Sequence, residues 1–302
     1  MNSEPRWQCV LICWGEKYGA GDINHLVDSL TAQTAAPPRF VLLTDRPRQG
    51  LDPRVHSRPI PAFWLKPEFL RGGCQAKLGM FEAGALPDDL PAVYIDLDTV
   101  ILGDMAEAVG FLDDARTICL LQSAILPFGP VGRLVHRLTR GRHYARGNSS
   151  IIVFHPREAV DVATRFRQCF ERYGPQGIRP MAADERFISW AAQPRMKAVP
   201  AWFAVKFPTE FMWPQRWIVD LRNRLPWIVS RRARLRAITL PGLEVKPEAL
   251  LALPDGAEIV DRKGRRLFWT ESALGPVRER LLADARRLIE HRQRAEAGRL
   301  PV

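Results

Sequence analysis

Residues 8–14, QCVLICW, form an unbroken apolar run and predict a first strand. Residues 22–34 then place Ile23, Leu26, Val27 and Leu30 at i, i+3, i+4 and i+7, the spacing of one helix face. Pro37 and Pro38 stop that helix, and RFVLLT at 39–44 predicts a second strand ending at Asp45. Strand, helix and strand in this order fold naturally as a right-handed parallel crossover. Further on, 75–85 has a helical pattern, 92–95 predicts a third parallel strand, and 118–121 and 150–154 predict two more. Residues 157–173 and 184–192 are helical in pattern. Residues 273–297 predict a long amphipathic helix, with Val277, Leu281, Leu282, Ala285, Leu288 and Ile289 on one face and arginines on the other. The alternation predicts an α/β fold, a mostly parallel Rossmann-like sheet with helices on both faces and a C-terminal helix. Residues 6–208 make the main α/β domain in this reading, and 209–302 a basic, aromatic segment and a C-terminal helix that docks on it.

The pattern breaks at 93–104, VYIDLDTVILGD, where an apolar strand ends in Asp96 and Asp98 with one leucine between them. Residues two apart on an extended backbone point to the same side, so the two carboxylates share it. In open α/β sheets, ligands bind beyond the carboxyl ends of the strands. Like charges placed there need a positive partner. A divalent cation such as Mg²⁺ or Mn²⁺ supplies one and also takes substrate phosphates. The plainer alternative is a solvated turn, where Asp is common.

Composition narrows the class. The 302 residues suit one large α/β domain or two smaller ones, and 46% hydrophobic content is ample for a core. No apolar run approaches the ~18 residues of a spanning helix, and the opening MNSEPRWQ lacks a signal-peptide core, so the expected location is cytoplasmic. Cys9, Cys13, Cys74, Cys119 and Cys169 form no CxxC pair, which argues against a zinc site or a disulfide framework. The net charge of +11 is unevenly spread. From Arg216 to Arg236, seven arginines oppose the single acid Asp220 and alternate with Trp217, Ile218, Trp227, Ile228 and Val229. The expectation is peripheral contact with an anionic membrane surface, not nucleic acid. A solvated helix face with buried aromatics is the alternative. A second basic segment, 133–146, is expected to act as a lid for an anionic glycan or lipid-linked acceptor.

Asp96-Leu97-Asp98-Thr99-Val100 superficially resembles the DxDxT/V motif of haloacid dehalogenase phosphatases, but a complete βαβ pattern precedes it and no later acidic pair for Mg²⁺ follows. The surroundings resemble instead the GT-A nucleotide-sugar transferases, and among them bacterial glycosyltransferase family eight-like proteins. CWGEKYGAGDINHLVDSLTAQTAAPPRFVLLTDRP is similar to their opening, with a W-G-x-K-Y turn after strand one. CQAKLGMFEAGALPDDLPAVYIDLDTVILGD is similar to their K-x-x-x-F helix leading into the D-x-D strand. Gly147-Asn148-Ser149-Ser150 and the strand after it resemble the family's N-S-G/S strand, and Ala183-Asp184-Glu185-Arg186-Phe187 its D-Q/E helix start. These motifs run in order from about Cys9 to Lys206.

The resemblance implies a glycosyltransferase that moves a hexose from a nucleotide-sugar, a UDP-hexose, to a cell-envelope glycan or glycolipid with retained configuration. It implies that Trp14, Gly15 and Tyr18 lie against the base, with an aromatic stacked on uracil. Asp45 would bind base or ribose, and Lys77 the nucleotide-sugar. Asp96 would touch ribose and metal, and Asp98 would hold the metal, Mn²⁺ or Mg²⁺, which offsets charge on the leaving UDP. Asn148 and Ser149 would face the donor sugar beside Asp184 and Glu185, with Glu185 positioning rather than attacking. Lys206 would contact acceptor or phosphate. Structural alternatives stand beside these roles: Tyr18 as core packing, Lys77 as a surface lysine or a partner of Asp96, and Asp184 as a helix N-cap.

The family closes its metal site with a late histidine in a motif like I-V-x-F-H-G-x-P-K-P. The matching stretch is read as 257–266, with Lys263 where the histidine is expected. A protonated ammonium cannot bind a metal. Lys263, with Arg262, Arg265 and Arg266, would then clamp the diphosphate and partly replace the cation. The alternatives are a non-catalytic nucleotide- or glycan-binding protein derived from this fold, and a DxD phosphatase.

Overall fold

Strand β1 (Gln8–Cys13) is buried at every position, and it runs parallel to β2 (Arg39–Thr44) through the helix Ala20–Gln33, the crossover expected from the sequence. The computed structural model describes residues 4–122, 128–175, 177–242, 245–261 and 264–297. Strand β3 (Val55–Pro59) extends the sheet beyond β2, and β4 (Ala92–Ile95) flanks β1 on its other side. The strand β5 (Thr99–Ile101) leaves the sheet directly after the aspartates. Strands β6 (Ile118–Gln122), β7 (Gly147–Phe154) and β8 (Met196–Val199) complete seven strands in the order β3-β2-β1-β4-β7-β6-β8.

All of these strands pair in parallel except β7, which is antiparallel to both β4 and β6. That reversal matters for the site. It brings the beginning of β7, not its end, to the carboxyl edge of β4, where the Asp96 N–H donates to the Ser150 carbonyl at 2.9 Å.

A second sheet pairs β5 antiparallel with β10 (Ala237–Thr239), which lies parallel to β9 (Ala204–Lys206). Residues beyond 208 are thus hydrogen-bonded to the strand that follows Asp98. A short hairpin, β11 (Glu258–Val260) and β12 (Arg266–Phe268), stands apart from both sheets. The two faces of the large sheet carry separate apolar cores, and a third core, with Val100, Phe207, Leu235, Trp269 and Leu281, lies under the second sheet.

Several elements differ from the pattern-based expectation. The strand β3, VHSRP, has no apolar alternation, and only its edge position makes a half-polar strand ending in proline tolerable. Residues 75–85 form a 3-10 helix over Gln75–Phe81; Ala76 to Phe81 are all buried, so no solvent face sets an α-helical period. The C-terminal α-helix covers Arg278–Ala297, because Gly275 at φ 49° and Pro276 kink the preceding 3-10 turn.

The C-terminal helix lies along the first helix. A Cβ on Gly21 would meet the Arg292 Cα at 2.9 Å, so glycine permits the close approach. Asp284 receives His25 Nε2 at 3.2 Å and Ser29 Oγ at 3.3 Å, and Arg292 donates to Asp22 at 2.8 Å.

The basic segment forms two helices, Arg216–Arg224 and Pro226–Ala233. Much of its charge serves the fold. Buried Glu210 accepts from Arg231 and Arg232, each at 2.6 Å, and from Arg222 at 3.4 Å. Arg232 is 2% exposed. Arg236 pairs with Glu107 at 2.9 Å. What faces solvent is aromatic: Trp217 is 65% and Trp227 66% exposed. Among the described residues no helix is long and apolar enough to cross a membrane.

Candidate functional site

The expected site residues come from four places that the sheet brings to one edge. The turn after β1 supplies Trp14, Gly15 and Tyr18. Gly15 has φ 63°, and its N–H donates to Asp45 Oδ2 at 3.1 Å at the end of β2. Burial acts to raise the Asp45 pKa, but hydrogen bonds from Arg46 and Gly15 outweigh it and hold the carboxyl below its ordinary range. Arg48 clasps the same turn, donating to Asp45 Oδ1 at 3.1 Å, Gly15 O at 2.9 Å and Tyr18 O at 3.0 Å. Trp14 Nε1 donates to Leu70 O at 3.2 Å. Tyr18 is bound to the aspartates instead of simply packing in the core: its hydroxyl donates to Asp98 Oδ2 at 3.1 Å. Burial, then the charges of Asp98 and Asp96, push its phenol well above the ordinary value.

Each aspartate meets a lysine. Lys77, on the 3-10 helix and 8% exposed, donates to Asp96 Oδ1 at 2.6 Å and lies 3.8 Å from Asp184 Oδ2. Asp96 Oδ1 also accepts from the Tyr94 hydroxyl. Burial alone would lower the Lys77 pKa; the charges of Asp96, Tyr94 and Asp184 reverse that and hold the ammonium well above its ordinary range. Lys77 is therefore the partner of Asp96, one of the alternatives the sequence left open. Asp98 Oδ2 is bound by Lys246, whose Nζ also donates to Tyr18 Oη at 3.2 Å and Leu240 O at 3.1 Å.

The strand β7 and the helix Asp184–Ala191 supply the rest. Asn148 Nδ2 donates to Glu185 Oε2 at 2.9 Å, and Ser149 Oγ to Asp184 Oδ2 at 2.7 Å. Asp184 is the first residue of its helix, and its N–H donates to Gly73 O at 2.9 Å. A Cβ on Gly73 would sit 2.5 Å from Ala182 O, so only glycine admits that contact. Burial, opposed by Lys77 and Ser149, pushes the Asp184 carboxyl up to about 6. Lys206 ends β9 opposite Thr239, which itself lies opposite Thr99, the residue after Asp98.

Two expectations change. Lys263 and Arg262 lie outside the described residues, and the stretch around them is the β11–β12 hairpin. There Arg265 pairs with Asp261 and Arg266 with Glu258, so these two arginines neutralise their own hairpin and do not serve as a diphosphate clamp. The cation at the aspartates is Lys246. The sequence held a signal for it: Gly242 followed by Lys246-Pro247 repeats the glycine and Lys-Pro ending of the late family motif. Sequence reasoning also missed Tyr94, which was counted as strand core, and Arg48.

The same geometry tests the expected divalent ion. Asp96 and Asp98 are both engaged by ammonium groups. Among the described residues no group of three or more His, Cys, Asp or Glu could hold a metal ion. This donor set does not fit a bound Mn²⁺ or Mg²⁺, which needs about six oxygen ligands around an unoccupied position.

No family model and no curated relative matches the sequence. Solved structures do. The apo structure of the bifunctional glycosyltransferase WbbM aligns over 97% of this chain and 52% of its own, at 14% identity and TM-score 0.58. The galactosyltransferase LgtC, solved with donor and acceptor sugar analogues, aligns over 92% of this chain and 95% of its own, at 13% identity and TM-score 0.52. The glycosyltransferase GlyE of Streptococcus pneumoniae aligns over 97% of this chain and 64% of its own, at 10% identity and TM-score 0.53. The chain thus spans 52% of WbbM and 64% of GlyE. It has the fold of the GT-A-type glycosyltransferases.

Proposed function

We propose that this chain is a family eight-like glycosyltransferase that moves a hexose from UDP-hexose to a cell-envelope glycan or glycolipid, with retention. The single observation that carries the reading is the pairing of Lys77 with Asp96 and of Lys246 with Asp98 at the carboxyl edge of a sheet of this fold. A diphosphate drawn to that edge meets two ammonium groups already held in place, and ammonium groups bind phosphate well as point charges. Negative charge grows on the UDP oxygen as the glycosidic bond breaks. A fixed cation there lowers the barrier because it needs no reorganisation at the moment of reaction.

Lys246 and Lys77 take this role in our reading, while Asp96 and Asp98 hold them. Trp14, Gly15 and Asp45 lie at the base end. Asn148 and Glu185, bonded to each other, and Asp184, bonded to Ser149, position the sugar; these bonds support positioning over attack by a carboxylate. Lys206 faces the acceptor side.

The test is calorimetric titration of UDP into the protein with and without Mn²⁺, beside Asp96→Asn/Asp98→Asn. Binding without metal supports the lysine pair. Binding that requires Mn²⁺ and both aspartates restores the metal expected from the sequence. Absence of binding in both conditions sinks the transferase reading and leaves the non-catalytic binder and the phosphatase.

Activity should also depend on Asp184. If its charged form is needed beside Lys77, transfer rates measured from pH 5 to 8 should fall roughly tenfold per unit below about 6. Asp184→Asn should be slow and show no such limb. Because folding raises this pKa, its contribution to stability has the opposite sign: present at low pH and lost as pH rises through about 6. A native profile flat to pH 5 would remove Asp184 from the mechanism.

We also propose peripheral contact with an anionic membrane, on the inner face if the chain is cytoplasmic. Trp217 and Trp227, with Leu221 and Val229, form the exposed apolar part of the basic helices. Trp217→Ala/Trp227→Ala should weaken binding to phosphatidylglycerol vesicles about tenfold or more, without changing UDP affinity. Equal vesicle binding by that variant would end the idea. Glutamine at Arg232 is a poor test, since that side chain is internal.

A further inference from the structure

We infer that a second site, beside the donor-sugar residues, binds a phosphoryl group carried by the acceptor; the inference rests on the transferase reading above. Residues 141–146 before β7, the segment 178–180 and the helix Asp184–Ala191 enclose a cavity of about 360 Å³. Small-molecule sites run from roughly 300 to 1,000 Å³. Arg142, Arg146, Arg179 and Arg186 line it, with Tyr144 and Trp190.

Among the described residues none of these four arginines has a carboxylate partner. Elsewhere arginines are paired: Arg39 with Asp89, Arg54 with Asp28 and Asp52, Arg167 with Glu82, Arg195 with Asp161. Four guanidinium groups around one cavity repel one another, and an anion between them relieves that repulsion. The charges of Arg146, Arg186 and Arg179 all act on Tyr144, pulling its phenol down against the larger effect of burial.

The walls are held together. Gln193 Nε2 donates to Ala145 O at 2.8 Å and Ser189 O at 2.7 Å, and the Gly147 N–H donates to Ser189 Oγ at 2.9 Å. Arginine forks match phosphate oxygens in pairs, which a lysine cannot do. The Tyr144 and Trp190 rings offer flat faces for a sugar ring.

Position ties the cavity to the transfer site. Arg146 lies two residues before Asn148, and Arg186 follows Glu185. The ligand class is a sugar phosphate or sugar diphosphate, whether part of a phosphorylated glycan or of a lipid-linked acceptor.

With UDP saturating the donor site, glucose 1-phosphate and inorganic pyrophosphate are titrated into the full chain by calorimetry. Both should bind in the presence of UDP. Arg142→Gln/Arg146→Gln and Arg179→Gln/Arg186→Gln should each weaken pyrophosphate by about tenfold or more, with UDP affinity held within about twofold and thermal melts unchanged. Binding abolished by UDP, or equal binding by both variants, would overturn the inference. If UDP itself fails to bind, the transferase reading falls, and pyrophosphate binding by the arginine variants still decides the cavity. A short prenyl diphosphate in micelles that binds about tenfold tighter than pyrophosphate supports the lipid-linked source; equal binding supports the phosphorylated glycan.

Discussion

Lys246→Met should lower UDP affinity about ten- to a hundredfold in metal-free buffer. A hydrogen bond to a charged group contributes about 1.5–3 kcal/mol, and each 1.4 kcal/mol is tenfold. The substitution also strips Asp98 of its ion-pair partner, which leaves Tyr18 as its remaining side-chain donor among the described residues. The bared carboxylate would then repel the diphosphate it once helped to hold. The same change should create a response to metal. With the ammonium gone, Mn²⁺ can take the Asp98 oxygen, so added Mn²⁺ should restore part of the lost affinity in the variant and do little for the native chain. Calorimetry on native and variant, each with and without Mn²⁺, reads both effects. Lys263→Met is the comparison, and an equal loss there would return the role to the hairpin. Unchanged affinity in Lys246→Met, with strong Mn²⁺ dependence in the native chain, would mean that the lysine is a bystander.

Glu210→Ala should cost about 3–5 kcal/mol of stability, the largest loss expected from one side chain outside the apolar cores. Glu210 is 6% exposed and receives Arg222, Arg231 and Arg232 on one oxygen. Arg232 also donates to Asn223 Oδ1 at 2.9 Å, Ala273 O at 2.7 Å and Glu210 O at 2.9 Å, so it ties both basic helices to the segment before the C-terminal helix. Removing the carboxylate leaves a buried guanidinium without a counter-charge. Urea unfolding should show the loss directly, as a midpoint shift at unchanged slope. Glu210→Met/Arg232→Met should be less destabilised than Glu210→Ala, because no charge is then stranded. A midpoint shift of less than about 1 kcal/mol in Glu210→Ala would show that this cluster is solvated in practice.

The sequence by itself determined the elements with strong periodicity and the strand ends. The apolar runs at β1, β2 and β4 and the face of the first helix are local patterns, legible because burial on both faces, or on one helix face, leaves a period in the chain. Asp96 and Asp98 were legible for the same reason: charge at the end of a buried strand contradicts its surroundings. Asn148, Asp184 and Glu185 were visible through a resemblance in order, and the structure brings them together. Three things were decided only in three dimensions. The direction of β7 set which of its ends meets Asp96, and no local pattern records strand direction. The partner of Asp98 came from Lys246, which is 148 residues away in sequence and reaches it because β10 pairs with β5. The arginines of 216–236 looked like a surface and proved partly internal, because burial of a charge depends on whether a distant carboxylate, here Glu210, is there to receive it. Periodicity reports what each residue faces, solvent or core. It does not report which distant side chain stands opposite, and the chemistry of this site depends on those pairings.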